Sequence, residues 1–213
     1  MSMFSDRREA GQRLGEALVA WRDEPHLVVL GLPRGGVPVA AEVARALGAP
    51  LDVFVVRKLG LPQYPEVAMG AVAVGARWLN TELIAQVGVT PDDLARVEAR
   101  EQQELQRREQ VYRAGKGPLD LRGKTVLLID DGLATGATMH AAVQAVRALE
   151  AAKIGVAVPV AAPDTLLALG REANEAFSLL APQGFRAVGQ FYREFGQTSD
   201  AEVLALLEAG KPD

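Results

Sequence analysis

A chain of 213 residues, 49% hydrophobic and 23% charged, is ordinary usage for a single globular domain with a sizeable core. Its net charge of −4 argues against a dedicated nucleic-acid binder, which shows a basic excess. With no cysteine, disulfides, zinc–thiolate sites and a cysteine nucleophile are excluded, and two histidines argue against a histidine-rich metal site.

The N-terminal stretch MSMFSDRREAGQRLGEAL has no apolar core of signal-sequence length. No run approaches the ~18 apolar residues of a membrane span. The expectation is a cytoplasmic protein without membrane contact.

In chain order, Leu14, Leu18 and Trp21 mark one face of a helix over 5–22. HLVVLGL (26–32) reads as a buried strand, PRGGVP as a break, and 39–47 as a helix stopped by Gly48 and Pro50. LDVFVV (51–56) is a second strand ending on Arg57-Lys58. Gly60, Pro62, Pro65 and Gly70 make the following stretch a loop, and AVAV (71–74) a short strand.

Residues 90–114 predict a long helix, with Thr90 as N-cap, Pro91 in the first turn, and Asp92 and Asp93 at the positive end of its dipole. Its apolar stripe is thin, and Glu104–Arg108 and Glu109–Arg113 are favourable i,i+4 pairs. It reads as a solvated surface helix. An arm that binds a partner or covers an active site is the alternative.

After a connector (115–124), TVLLID is a strand, 136–149 a helix, 154–162 a buried strand and 163–173 a helix. EAFSLLAP and FRAVGQFY read as strands, and Ser199 with Glu202 forms a capping box for a last helix. Strands alternating with helices predict an α/β fold with a mostly parallel central sheet flanked by helices. One domain over 1–213 is expected, with 76–118 as a helical insertion and 175–213 as a small C-terminal cap.

In such sheets ligands bind at the carboxyl ends of strands, where three loops are chemically unusual. DDGLATGAT (130–138) follows a strand and opens a helix, whose free N–H groups and dipole attract anions. Gly136 allows close backbone approach, and Thr135 and Thr138 add hydroxyl donors. Asp130 and Asp131 are acceptors only and repel phosphate, so they need sugar hydroxyls or a cation. A ribose 5-phosphate satisfies both halves.

VLLIDD is similar to a Walker B strand, but no G-x-x-x-x-G-K-[ST] occurs in the chain. It is also similar to the acidic opening of a receiver domain, which needs a lysine at a later strand end. The only later lysines are Lys153, before a strand, and Lys211. Two merely solvated acids at a strand end are the bland alternative.

LPRGGVP (32–38) offers Arg34 and the approachable backbone of Gly35 and Gly36, although alone it reads equally as a Gly-rich turn. Arg57 and Lys58 alone read as surface charges. Together, these cations and two anion-binding turns imply a substrate with phosphate groups at opposite ends.

VLLIDDGLATGAT resembles the 5-phosphoribosyl-1-pyrophosphate (PRPP) signature of type I phosphoribosyltransferases. GLPRGGVPVA resembles their pyrophosphate loop, and VVRKLGLP their basic pair and mobile loop. FRAVGQFYREFGQTSDAEV is similar to a C-terminal segment of uncharacterised bacterial members. The likeness covers roughly residues 27–160, and more loosely to 205. Two departures are Gly132, where a bulky aliphatic is usual, and the more helical, charged 76–118 segment, which leaves the geometry of the family's hood open.

The resemblance implies a phosphoribosyltransferase that moves ribose 5-phosphate from PRPP to a nitrogenous acceptor such as a nucleobase, with Mg²⁺ assisting and pyrophosphate leaving. Catalysis is then positioning and electrostatics around an oxocarbenium-like ribose. It assigns Thr135, Gly136, Ala137 and Thr138 to the 5-phosphate, and Asp130 and Asp131 to the ribose hydroxyls and, directly or through water, the metal. Arg34, Gly35, Gly36, Arg57 and Lys58 go to pyrophosphate, with Asp130, Asp131 and Arg34 as the catalytic set. Loop 59–70 is the expected lid.

Phe191 and Tyr192 are the expected acceptor platform, ahead of Phe185 and Trp78, with core packing as the competing reading. A homodimer is expected from the resemblance. The second functional class is a catalytically weak, PRPP-sensing regulatory protein; a hydrolase of phosphorylated sugars is a third.

Overall fold

The computed structural model describes residues 4–211. Residues 1–3, which open the stretch read for a signal sequence, and 212–213, the end of the expected domain, lie outside the described residues.

The main sheet is parallel throughout. It contains β1 (Leu27–Gly31), β2 (Leu51–Val53), β6 (Thr125–Ile129), β7 (Lys153–Val160) and β8 (Glu175–Leu180), in the order β2-β1-β6-β7-β8. Every residue of β6 is buried, as expected of a central parallel strand covered on both faces. Pro159 sits in β7 without an N–H to donate. The β6 pairing stops at Ile129–Ala157, so the proline lies past the part of β7 that is hydrogen-bonded on both sides.

Helices α1 (Arg7–Ala17) and α2 (Gly36–Leu47) cover one face, where Leu14, Val39, Val43 and Leu47 pack with Val29, Leu127 and Ile129. On the other face, α5 (Ala137–Ala148) and α6 (Pro163–Glu172) join a core of Leu30, Leu128, Met139, Val143 and Leu169. This is the α/β architecture that the alternating pattern predicts.

A second sheet was not expected. Strands β3 (Arg57–Gly60), β4 (Ala68–Ala73) and β5 (Ala76–Leu79) form an antiparallel sheet in that order. The prolines and glycines that read as one long loop confine the turn to 61–67, with a register shift at Leu59/Gly60. The 76–118 segment therefore opens as a strand, then continues as α3 (Thr81–Val87) and α4 (Pro91–Arg113).

Helix α4 is capped as its sequence predicts, with Thr90 Oγ1 accepting from the Asp93 N–H at 3.1 Å. It does not stand in solvent. Val97, Leu105 and Tyr112 are buried with Leu59, Met69 and Val72 of the second sheet and Val203 of α7 (Asp200–Ala209).

The C-terminal part differs from expectation in two ways. Residues 175–180 are an edge strand of the main sheet, so the cap proper follows it. FRAVGQFY is not a strand: Val188–Phe191 is a 3-10 turn, and only Tyr192 bridges to Phe4. The side chain of Gln190 accepts from the Arg186 and Ala187 N–H groups at 2.9 and 3.0 Å, which gives these donors a local partner in place of a ladder. The Ser199–Glu202 capping box is present on α7.

Candidate active site

The β6 run ends at Ile129, and Asp130 and Asp131 follow at the carboxyl edge of the main sheet. The Asp131 N–H donates to Asp130 Oδ1 at 2.8 Å, which turns the two carboxylates into one compact pair. Asp130 keeps some open surface, yet protein atoms enclose it. Enclosure first, and the neighbouring Asp131 charge second, push its carboxyl well above the ordinary range. Burial also raises Asp131, while a bond from Arg7 pulls the other way.

The chain then turns into α5. Gly136 adopts φ of 73°, a left-handed conformation that glycine takes without a side-chain clash. A Cβ there would also collide with Thr165. Gly136, the N-cap of α5, has no side chain to cap it, and the Ala137 N–H makes only a long 3.4 Å bond to Thr135 Oγ1, so the helix start stays open to an anion. Thr135 and Thr138 are both exposed beside it. Asp130, Gly132, Leu133, Ala134, Thr135, Gly136, Ala137, Thr138, Met139 and Val188 line a cavity of about 180 Å³.

The Arg34-Gly35-Gly36 turn lies against the acid pair. A Cβ on Gly36 would sit 2.7 Å from the Ile129 carbonyl oxygen and 2.9 Å from Asp130 Cα, and one on Gly35 would overlap Asp131 Oδ2. The two glycines are what lets this backbone reach the acids.

The expected cations divide between two further cavities. Arg57, Lys58 and Thr138 line one of about 160 Å³ with Leu32, Pro33 and Arg108. Arg57 is already paired with Glu101 at 2.8 Å. Arg34 faces a different cavity, of about 280 Å³. Thr138 is common to the first two cavities, and Arg108 to the last two. The expected phosphate, ribose and pyrophosphate residues thus line adjoining spaces rather than one pocket.

Phe191 and Tyr192 do not offer a platform. Both are buried, with Phe185 stacked on Phe191 at 5.5 Å, and Phe4 and Phe195 lying 5.4 and 5.0 Å from Tyr192. Core packing occupies their faces. Tyr192 instead donates its hydroxyl to the Asp131 carbonyl at 2.7 Å, and burial raises its phenol far above the usual range. Trp78 lines an adjoining cavity of about 320 Å³ with Ala137, His140 and Glu172, while Val188 is the residue of the C-terminal part in the wall of the cavity that Asp130 lines.

Sequence reasoning missed Arg7. Its Nε donates to Asp131 Oδ2 at 2.9 Å and Nη1 donates to the Gly196 carbonyl at 2.6 Å, while its guanidinium lies 4.1 Å over the Phe195 ring. No local signal marks it, because its partners lie 124 and 189 residues away.

The expected metal can be weighed against these donors. Among the described residues, no group of three or more His, Cys, Asp or Glu could hold an ion. Mg²⁺ is commonly held by one or two carboxylates, with waters and substrate phosphates completing its shell. Asp130 uses Oδ1 for a backbone N–H and Asp131 uses Oδ2 for Arg7, which leaves the second oxygen of each. The pair fits Mg²⁺ in that shared mode. No helix among the described residues is long and apolar enough to cross a membrane.

Known proteins resemble this chain in sequence and fold. The family model for the phosphoribosyl transferase domain matches residues 63–180. A provisionally named phosphoribosyl transferase of Mycobacterium tuberculosis is 45% identical over the whole chain. The chain spans about half the length of the curated relatives it matches, 48% of that one. The crystal structure of TT1426 from Thermus thermophilus is 43% identical, covers 100% of both chains and superposes with a TM-score of 0.91. The AQ2163 protein from Aquifex aeolicus is 16% identical, with a TM-score of 0.50 over 86% of this chain and 76% of its own, a likeness of fold alone. The chain therefore belongs to the type I phosphoribosyltransferase superfamily.

Proposed function

We propose that the protein transfers ribose 5-phosphate from PRPP to a nitrogenous acceptor, with release of pyrophosphate. The observation that carries this is the cavity that Asp130, bonded to Asp131 through the Asp131 N–H, shares with the start of α5. Two acceptor-only carboxylates suit the ribose diol, and the N–H groups at the start of α5 with Thr135 and Thr138 suit its 5-phosphate. The C1 bond to pyrophosphate breaks as the acceptor nitrogen bonds to C1. The negative acid pair favours the cationic ribose of the transition state.

On the leaving-group side, the Gly35-Gly36 backbone and Lys58 are assigned to pyrophosphate; Lys58 lines the adjoining cavity and has no ion-pair partner among the described residues. Asp130 and Asp131 would hold Mg²⁺, which when bound neutralises pyrophosphate charge. The 61–67 turn, with Tyr64 56% exposed, is the element that would close over the site and exclude water. The acceptor is assigned to the Val188 side of the cavity, since Phe191 and Tyr192 are packed away.

The test is pyrophosphate release from PRPP and Mg²⁺ with a panel of purine, pyrimidine and other amine acceptors. Release with at least one acceptor, lost in Asp131→Asn, supports transfer. The buried aromatics favour a second reading, a PRPP-sensing regulatory protein that binds without transferring. PRPP binding without release for any acceptor would select it.

A further inference from the structure

Helix α4 brings two arginines to the site that the β6 loop chemistry does not use. Arg107 and Arg108 line the cavity of about 280 Å³ with Arg34, Tyr112 and Asp200. Arg108 gives only Nε to Glu104, at 2.8 Å, so both its terminal nitrogens stay available. Arg107 gives Nε and Nη2 to the same carboxylate and keeps Nη1. The Arg34 guanidinium has no hydrogen bond among the described residues, only a long ion pair of 3.8 Å with Asp200. Three cations thus meet two carboxylates, one of which, Asp200, is engaged at 2.6 Å by the Tyr112 hydroxyl.

Guanidinium forks match phosphate oxygens in geometry and charge. Arg108 also forms part of the wall behind Arg57, Lys58 and Thr138, so this cavity adjoins the phosphate turn. We infer that the α4 cavity is a phosphoanion site, in which Arg34, Arg107 and Arg108 hold the outer phosphate of a pyrophosphate group and Asp200 is the carboxylate that the anion displaces. The identification of the anion as the pyrophosphate half of PRPP rests on the proposed function. The arginine site itself does not. Helix α4 then acts as a binding wall rather than a mere cover, and α7 holds the internal competitor.

Three titrations on the full chain decide this, with pyrophosphate, inorganic phosphate and ribose 5-phosphate as probes. Combined Arg107→Gln and Arg108→Gln should weaken pyrophosphate binding about tenfold or more, with ribose 5-phosphate affinity unchanged. Asp200→Asn should tighten pyrophosphate binding roughly threefold, by removing a competing charge. This opposite sign is not what general loss of fold would give. Unchanged pyrophosphate affinity in both variants, or none in the wild-type protein, overturns the inference. Inorganic phosphate binding as tightly as pyrophosphate, with the same arginine dependence, overturns the pyrophosphate assignment. Failure of the wild-type protein to bind ribose 5-phosphate would instead remove the proposed function, while the arginine dependence still decides the cavity.

Discussion

The loop after β6 and the helix α4 line neighbouring cavities, but they are positioned by different physics. The loop is local. One strand end, two acids, a left-handed glycine and a helix start all fall within 129–138. Helix α4 is remote, and its arginines meet Arg34 only because Val97, Leu105 and Tyr112 seat it on the second sheet and α7. Chemistry written into neighbouring residues survives changes elsewhere. Chemistry assembled by packing depends on every element that sets the angle.

Asp131→Asn would test the local half most severely. It should lower pyrophosphate release by about a hundredfold or more, as loss of a preorganised charge does, with little change in melting temperature. Retained turnover would remove Asp131 from its role. Arg7→Gln tests how far the local half depends on remote support. Leaving Asp131 without its charged partner should cost about 1–3 kcal/mol in a denaturant titration. Turnover should fall less than in Asp131→Asn, and an equal fall would make Arg7 as direct a participant as the acid.

Thr138→Val removes one hydroxyl donor. It should weaken ribose 5-phosphate binding about tenfold, measured by calorimetry. The smallest effect belongs to the remote half. Burial, with Asp200 accepting its hydroxyl, pushes the Tyr112 phenol up to about 12. A phenol with a raised folded value stabilises fully below its ordinary value of 10.0 and loses that contribution as pH climbs through about 12. Tyr112→Phe should cost about 1 kcal/mol at neutral pH and flatten the alkaline loss of stability in that window. A variant with the wild-type alkaline profile would show that the Tyr112–Asp200 bond does not anchor α7 to α4.

The same division explains what could be read from the chain. TVLLIDDGLATGAT was legible because each signal is short-range: a mostly apolar strand, then acceptors, then glycine and threonine at a helix start. The second sheet was not. Its strands are short, and Gly60, Pro62, Pro65 and Gly70 read as loop when they shape one hairpin and its bulge. FRAVGQFY carried β-rich residues, but Gln190 satisfies its backbone locally and Phe191 and Tyr192 are needed in the core. Arg7 was invisible, since nothing near residue 7 announces a carboxylate 124 positions away. Of the arginines at 107 and 108, only Arg108 stood out, as the i,i+4 partner of Glu104. The fold alone puts both opposite Arg34.

The central claim is that the acids read the ribose while Thr135–Thr138 read its phosphate. The direct measurement compares the affinity of ribose 5-phosphate with that of its 2,3-dideoxy analogue, in the wild-type protein and in two variants. The wild-type protein should prefer the intact sugar. Asp131→Asn should shrink that preference, and Thr138→Val should weaken both ligands equally while keeping it. A wild-type protein indifferent to the hydroxyls, or a preference lost in Thr138→Val and kept in Asp131→Asn, would contradict the division of labour within the loop.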